Sequence, residues 1–428
     1  MATPVTLGAA AAAAQADRRL SNRWVVLITL LFISIFNFAD RFLLAGLVDP
    51  IKASFAVSDQ FMGLLMGPAF AVLYTTLAIP IARLADRRSR VMIIAGGCLL
   101  WSLFTALSGL AQGPASLAAA RVGVGIGEAA FGAPAYSLLA AYFSEAQRGK
   151  AFAILGIATY VGQIAGYATG PAIAHAHDWR VAFIAMAVPG VALSGMALLL
   201  IREPSRVLAK VPPPAWPLFA RLLRSRAFVR LMVGMGLGVL SGVAFGNWGP
   251  TLFVRSFALS QKDAGSTFGL YFGLAGLTGM LLFGALADRE AKKAMNRPIA
   301  MAALALLAAS ACVLAVTWSG NITAARLLAV PSGLLGGGWS IGVMASLQYL
   351  LPDRIRASAT ALFLMVSTFL GYVIGPWLVG AISHALGDSA MSLQLGLSVA
   401  IPLGFAGAAL LLSAARHLEA DRTSLADL

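Results

Sequence analysis

Long apolar runs follow one another along the whole chain and are broken by short polar turns. Runs of about 18 residues or more cross a ~30 Å hydrocarbon core as α-helices. No period-2 alternation runs through them, which excludes a lipid-spanning β-barrel. Twelve helices fit. They run roughly 23–48, 59–84, 89–112, 115–143, 148–175 and 179–202, then 227–255, 261–288, 296–318, 323–351, 354–384 and 389–417. Between the two sets, 203–226 holds Pro204, Pro212, Pro213, Pro214 and Pro217 among Arg206, Lys210, Arg221 and Arg224. That stretch is too polar to span and too proline-rich for one helix, so it reads as a linker with a short surface helix at its end. The predicted fold is an all-α membrane protein of two six-helix bundles, 23–202 and 227–417. Tails occupy 1–22, expected to be disordered, and 418–428.

The two bundles repeat one another. Ala82-Arg-Leu-Ala-Asp86-Arg87-Arg88-Ser89-Arg90 is echoed by Gly284-Ala-Leu-Ala-Asp288-Arg289-Glu290-Ala291-Lys292-Lys293. Gly166 and Gly170-Pro171 are echoed by Gly371 and Gly375-Pro376, and Arg121 more loosely by Arg326. A duplicated bundle is the architecture of a carrier with its site between two halves.

Only 11% of the residues are charged, against about 25% in soluble domains. The net charge of +14 is a topology signal and not a nucleic-acid footprint. Of the 31 Lys and Arg, Lys52, Arg180, Arg255 and Lys262 fall on one side, and Arg41, Arg121 and Arg326 lie deeper inside spans. All the others crowd the opposite side, which the positive-inside bias makes cytoplasmic, with both termini there. The expected location is a bacterial inner (cell) membrane. Cys98 and Cys312 fall within apolar spans and imply no disulfide framework. His175, His177, His384 and His417 offer no metal spacing. No phosphate loop is present, so no cofactor or ATP is expected.

An ionisable group inside a membrane is a functional candidate by default. Asp40 and Arg41 lie in the first predicted helix, Arg121 and Glu128 in the fourth. Asp40 is 17 residues past Arg23, about 25 Å along a helix and so beyond the midplane. Arg121 and Glu128, seven apart, share a face about 10 Å apart. Neighbours on a helix diverge by about 100°, so Asp40 and Arg41 cannot both face one point. A carboxylate at this depth pairs with a cation or takes up a proton. Asp40 and Glu128 are therefore the expected proton-responsive pair, with Arg41 and Arg121 competing for them. A fixed ion-pair network that only orients two helices is the alternative.

At the basic side, Asp86, Arg87, Arg90, Asp288 and Arg289 end helices where carboxylate and guanidinium can bridge to a neighbouring terminus. They read as a gate that latches the outward-open state, with Arg148 and Arg354 as partners. Asn37, Tyr160, Gln163, Asn247, Trp248 and Tyr271 are polar or amphipathic side chains in apolar spans and are candidates for lining a cavity.

The layout resembles the major facilitator superfamily over essentially the whole chain. The Leu-Ala-Asp-Arg turns look like its signature between helices 2 and 3 and the echo between 8 and 9, although Ala82 and Ser89 replace the usual glycines. Asn37-Phe-Ala-Asp40-Arg41-Phe42 and Arg121-Val-Gly-Val-Gly-Ile-Gly-Glu128-Ala-Ala-Phe, with Pro134 and Gln147-Arg148, resemble boxes of the spinster-like lipid transporters. Phe38, Ala39 and Val122 depart from those patterns. The resemblance implies alternating access, proton coupling through Asp40 and Glu128, headgroup recognition by Arg41 and Arg121, and a lysolipid- or sphingolipid-like substrate. Organic-anion or sugar-acid symporters share an Asp-Arg and a Gly-Glu-Ala, and a drug-type efflux pump is a further carrier reading. A non-transporting membrane sensor is the reading from another class. No nucleophile–base pair appears in any span, so an enzyme is not expected. Expected partners are the small amphipathic or anionic substrate, protons and membrane lipids. A monomer suffices because the halves enclose a complete pathway.

Overall fold

The computed structural model describes residues 21–204, 216–352 and 354–425, and holds twelve helices long and apolar enough to cross a membrane. In chain order these are α1 (Arg23–Gly46), α2 (Asp59–Arg87), α3 (Arg90–Gly109), α4 (Pro114–Tyr142), α5 (Glu145–Ala176) and α6 (Trp179–Leu200). The second half supplies α7 (Arg226–Phe257), α8 (Gln261–Ala291), α9 (Arg297–Thr317), α10 (Ile322–Leu350), α11 (Ser358–Ala385) and α12 (Ala390–Ala415). Each lies within a few residues of its predicted range. A short helix, Trp216–Leu222, precedes α7. Residues 205–215 of the expected linker, and 1–20 of the expected tail, lie outside the described residues.

Local chemistry sets the helix starts. Asn22, Ser58, Ser89, Asp178, Ser225, Ser260 and Asn321 each accept a first-turn backbone N–H on a side-chain oxygen. The duplication is visible in the backbone itself. Ala56 and Ala258 both turn left-handed, at φ 51, at the offset that relates Asp86 to Asp288. Each is followed two residues later by a capping serine, Ser58 or Ser260.

Several spans are discontinuous beside the seam between halves. α2 breaks at Gly67, where a Cβ would lie 2.9 Å from the carbonyl oxygen of Val373 in the other half. α4 breaks directly after Glu128 and resumes at Gly132. α8 and α11 each contain a π-helical turn, Gly269–Leu274 and Phe369–Ile374. Irregular backbone at this depth belongs where it is buried in protein or lines a cavity.

α2 packs on α11 and α5 on α8 across the seam, and those contacts concentrate in the halves away from the basic face. The glycines of the two repeated Gly-Pro segments pack within their own bundles. A Cβ on Gly166 would meet Ala39 O of α1 at 2.4 Å, and one on Gly371 would meet Val239 of α7 at 2.3 Å. The close cross-seam approaches belong instead to Gly63 against Pro376, Gly380 against Asp59, and Gly265 against Tyr167. Residues expected as a tail after 417 form a helix, Leu418–Leu425. It is anchored where Asp421 accepts from Ser225 Oγ and Ala227 N at the start of α7.

Candidate functional site

Four charged side chains from α1 and α4 are buried together: Asp40, Arg41, Arg121 and Glu128. They sort into two pairs. Arg41 donates to Glu128 through Nη2. Arg121 Nη1 lies 3.8 Å from Asp40 Oδ1, an ion pair too long for a hydrogen bond. Asp40 Oδ2 accepts instead from Thr105 Oγ1 of α3. The two adjacent residues of α1 diverge as helix geometry requires, one carboxylate turning into the bundle and one guanidinium toward the seam.

Aromatic rings enclose Arg41. Its guanidinium carbon lies 4.7 Å from the ring centroids of Phe70 and Tyr74, 5.2 Å from Phe38 and 5.4 Å from Tyr372. Ring faces attract a cation most where water is excluded. Tyr372 comes from α11, so the other half of the chain contributes to the cage around an N-terminal-half charge. The helices can converge here partly because Gly125 has no side chain; a Cβ there would lie 2.3 Å from Phe70 O.

The network is incompletely bonded. Among the described residues, Asp40 Oδ1, Glu128 Oε1, Arg41 Nε, Arg121 Nε and Nη1, and Asn37 Nδ2 are buried without a hydrogen-bond partner. Such groups are costly in a low-dielectric interior. The arrangement has unused donors and acceptors for a proton or a polar ligand group, and no metal set. Among the described residues, no group of three or more His, Cys, Asp or Glu is placed to hold a metal.

A half-enclosed cavity of about 160 Å³ lies against this cluster, walled by Phe42, Tyr160 and Gln163 on one side and by Ser241, Ser310 and Trp339 among the residues of the other half. Tyr372 lines it as well and is thus a shared wall between cavity and charge cage. Of the six candidates for lining a cavity, Tyr160 and Gln163 do so. Tyr160 also donates across the seam to Gly337 O at 2.9 Å. The other four do not line it. Asn37 is buried in α1, and Asn247 donates to Val243 O of its own helix at 2.9 Å. Trp248 is fully buried with Nε1 on Pro376 O at 2.9 Å, and Tyr271 packs against the apolar core. In each case packing or a local bond has claimed a side chain that its type alone could have sent to the cavity. Arg326 is half-buried in α10 with its Nε unpartnered.

At the basic face, Asp86, Arg87, Asp288 and Arg289 are exposed and, among the described residues, in no ion pair. Arg148 donates to Ala140 O and Phe143 O of its own bundle, and Arg354 is exposed. Arg90 corrects the gate reading. It is buried and tied within its bundle to Glu203 Oε1 at 2.8 Å and to Ser137 O at 3.0 Å. The opposite face is sealed by charge. Arg255 of α7 reaches Asp49 and Asp59, while Lys52 lies 2.5 Å from Asp59 and Ser383 donates to it at 2.7 Å. This cluster escaped the sequence reading. Its signal was present in Lys52 and Arg255, two of the few cations on that side, but no spacing links them to Asp49 and Asp59. Tyr372, Tyr74 and Thr105 were missed for the same reason.

Residues 30–376 match the family model described as Major Facilitator Superfamily. An MFS-type efflux pump of Mycolicibacterium smegmatis is 31% identical, with 89% of this chain and 89% of that protein covered. Spinster homolog 1 of Homo sapiens is 29% identical, with 93% and 81% covered. Among solved structures, a bacterial homolog to the human lysosomal transporter spinster, inward-facing and occupied, has a TM-score of 0.83 at 23% identity, covering 94% of this chain and 98% of that one. A D-xylose-proton symporter has 0.70 at 15%, covering 91% and 97%. A twelve-helix duplicated bundle, with a family match over most of its length, makes this chain a member of the Major Facilitator Superfamily, a membrane transporter similar to the spinster proteins.

Proposed function

We propose that the protein is a proton-coupled secondary carrier that moves an amphipathic, lysolipid- or sphingolipid-like molecule by alternating access, its basic face in the cytoplasm. The observation that carries this reading is the Arg41–Glu128 pair, buried at the break in α4 and roofed by Tyr372 from the opposite half. A proton on Glu128 cancels one charge of that pair and frees the guanidinium for an anionic headgroup. Asp40, next to Arg41 in α1, and Arg121, two turns of α4 from Glu128, form the second pair of the relay. The cavity beside Tyr372 combines an apolar wall from Phe42, Phe272, Leu306 and Val313 with polar groups on Gln163, Ser241 and Ser310, a mixture that supports an amphipathic cargo. On this reading the sealed face is external, the state is inward-facing, and Asp86 and Asp288 with Arg87 and Arg289 are gate residues that pair when the carrier turns outward. A single chain suffices.

Purified protein in liposomes tests the proposal by counterflow of labelled lysophospholipid and by uptake under an imposed pH gradient. Counterflow together with uptake that a pH gradient drives supports it, whereas absent counterflow removes the carrier reading in favour of a sensor. The likeness to an MFS-type efflux pump supports a second cargo class, drug-like molecules. The same liposomes, given a labelled cationic drug or sugar acid in place of the lipid, separate these cargoes.

A further inference from the structure

A second cavity lies away from the seam. A groove of about 540 Å³ runs between α8 and α9 on the flank of the second bundle, backed by α10, and shares no wall residue with the cavity beside Tyr372. Its walls are apolar, from Phe283 and Leu286 of α8 and from Met301 and Leu304 of α9; its end at the basic face is closed by Glu290 and Arg297. The groove has a packing cause. Gly276 and Gly279 bring α8 directly onto α10, where a Cβ on Gly279 would lie 1.9 Å from Leu334 O, so α8 leans away from α9. From Arg297 to Ala305 the groove descends eight residues, about 12 Å at 1.5 Å each. Half of a ~30 Å hydrocarbon core is ~15 Å, so it spans most of one leaflet.

The charge at its mouth is positive on balance. Glu290 accepts from Lys293 Nζ at 2.5 Å and from Arg297 Nη1 at 3.2 Å. Arg289 and Lys292 add two more exposed cations and Asp288 one exposed anion on the same turn, so cations outnumber anions at the mouth. Lys293 and Arg297 are themselves more than half exposed, at 56% and 53% of the side chain. A cationic rim over an apolar slot of leaflet depth matches one occupant: a phosphate at the rim and an acyl chain below.

We propose that this groove is a binding site for an anionic glycerophospholipid of the leaflet at the basic face, separate from the transport pathway. The phosphate competes with Glu290 for Lys293 and Arg297, and the chain fills the gap between α8 and α9. The inference stands whatever the carrier's cargo.

The test is lipid retention on the purified, delipidated full chain, measured by native mass spectrometry against dioleoyl-phosphatidylglycerol and dioleoyl-phosphatidylcholine. The wild type is expected to keep phosphatidylglycerol preferentially. A near-surface cation is worth about 1 kcal/mol to an anionic lipid, roughly fivefold in binding, so K293Q and R297Q should each lose about that factor. Ala300→Leu, which fills the slot without touching a charge, should lower retention of both lipids at the site. Equal retention of the two lipids by wild type overturns the proposal. So does undiminished phosphatidylglycerol binding in K293Q/R297Q, or in Ala300→Leu with its thermal stability intact. Inorganic phosphate at matched concentration should give no bound adduct; an equally retained phosphate would mean that the slot contributes nothing.

Discussion

Arg255 on α7 and Asp59 at the start of α2 belong to opposite halves of the chain and meet in two hydrogen bonds of 2.7 and 2.8 Å. The same guanidinium holds Asp49 at 2.7 Å, so one cation bridges two carboxylates of the first bundle. Asp59 is fully buried. It shares its remaining capacity among Lys52 and Ser383, while its backbone N–H donates to Asp388 Oδ1 at 3.1 Å. A charged cluster that closes only when two halves meet is a latch for the state in which they meet.

Removing the bridge should therefore shift the conformational balance. Arg255→Ala leaves buried Asp59 with Lys52 and Ser383 alone and removes two charge-assisted hydrogen bonds, which costs the sealed state about 1.5–3 kcal/mol. A cysteine at Met62, buried near the seal, should react with a thiol reagent at least about tenfold faster in that variant, with Cys98 and Cys312 replaced. Unchanged labelling would mean that the cluster is not what holds this face shut.

Packing should act in the same direction without any change of charge. A Cβ on Gly63 would lie 2.7 Å from Pro376 O, and one on Gly380 would lie 2.4 Å from Asp59 O. Both neighbours are backbone and cannot step aside. Gly63→Ala and Gly380→Ala should each cost the sealed state about 1–3 kcal/mol and raise Met62→Cys labelling. Unlike the effect of Arg255→Ala, theirs should not vary with salt.

The buried pair should show strong non-additivity. Arg41→Ala leaves the Glu128 carboxylate without its partner and should lower stability by about 3 kcal/mol, while Arg41→Ala combined with Glu128→Gln recovers much of it. Glu128→Gln alone should keep counterflow but lose uptake driven by a pH gradient. Coupling that survives Glu128→Gln would remove this residue from the proton path.

Tyr372 should separate its two duties. Tyr372→Phe keeps the ring over Arg41 and should retain most of the transport rate; Tyr372→Ala removes a wall of both cage and cavity. The second variant should lower affinity for cargo and transport rate together, read from the concentration dependence of counterflow. Equal effects of the two substitutions would assign the function to the hydroxyl.

Glu203, just past α6, gives a pH dependence outside the membrane. Partial burial pushes its carboxyl up, but the Val91 N–H, the Arg90 guanidinium and Ser89 together hold it below the ordinary value of 4.5. A carboxylate lowered on folding contributes its stability above the unfolded value and loses it as pH falls through the folded one. Thermal stability should thus drop below about pH 4.5 through this group, and Glu203→Gln should be less stable at pH 7, by about 1 kcal/mol, with a flatter acid limb.

The sequence by itself determined the twelve spans, the duplication and the four deep charges, because hydrocarbon thickness dictates the length of an apolar run and penalises charge within it. It also settled that Asp40 and Arg41 must diverge, since a helix turns about 100° per residue. Only the tertiary structure decided who pairs with whom. Arg41 could have met Asp40's neighbours or Glu128, and Arg90 could have crossed the seam rather than bonding Glu203 and Ser137. The Arg255 latch and the Tyr372 roof join residues that lie some 200 residues or more from their partners. Pairing of that kind depends on how two bodies dock, a property of three-dimensional packing that no local periodicity encodes.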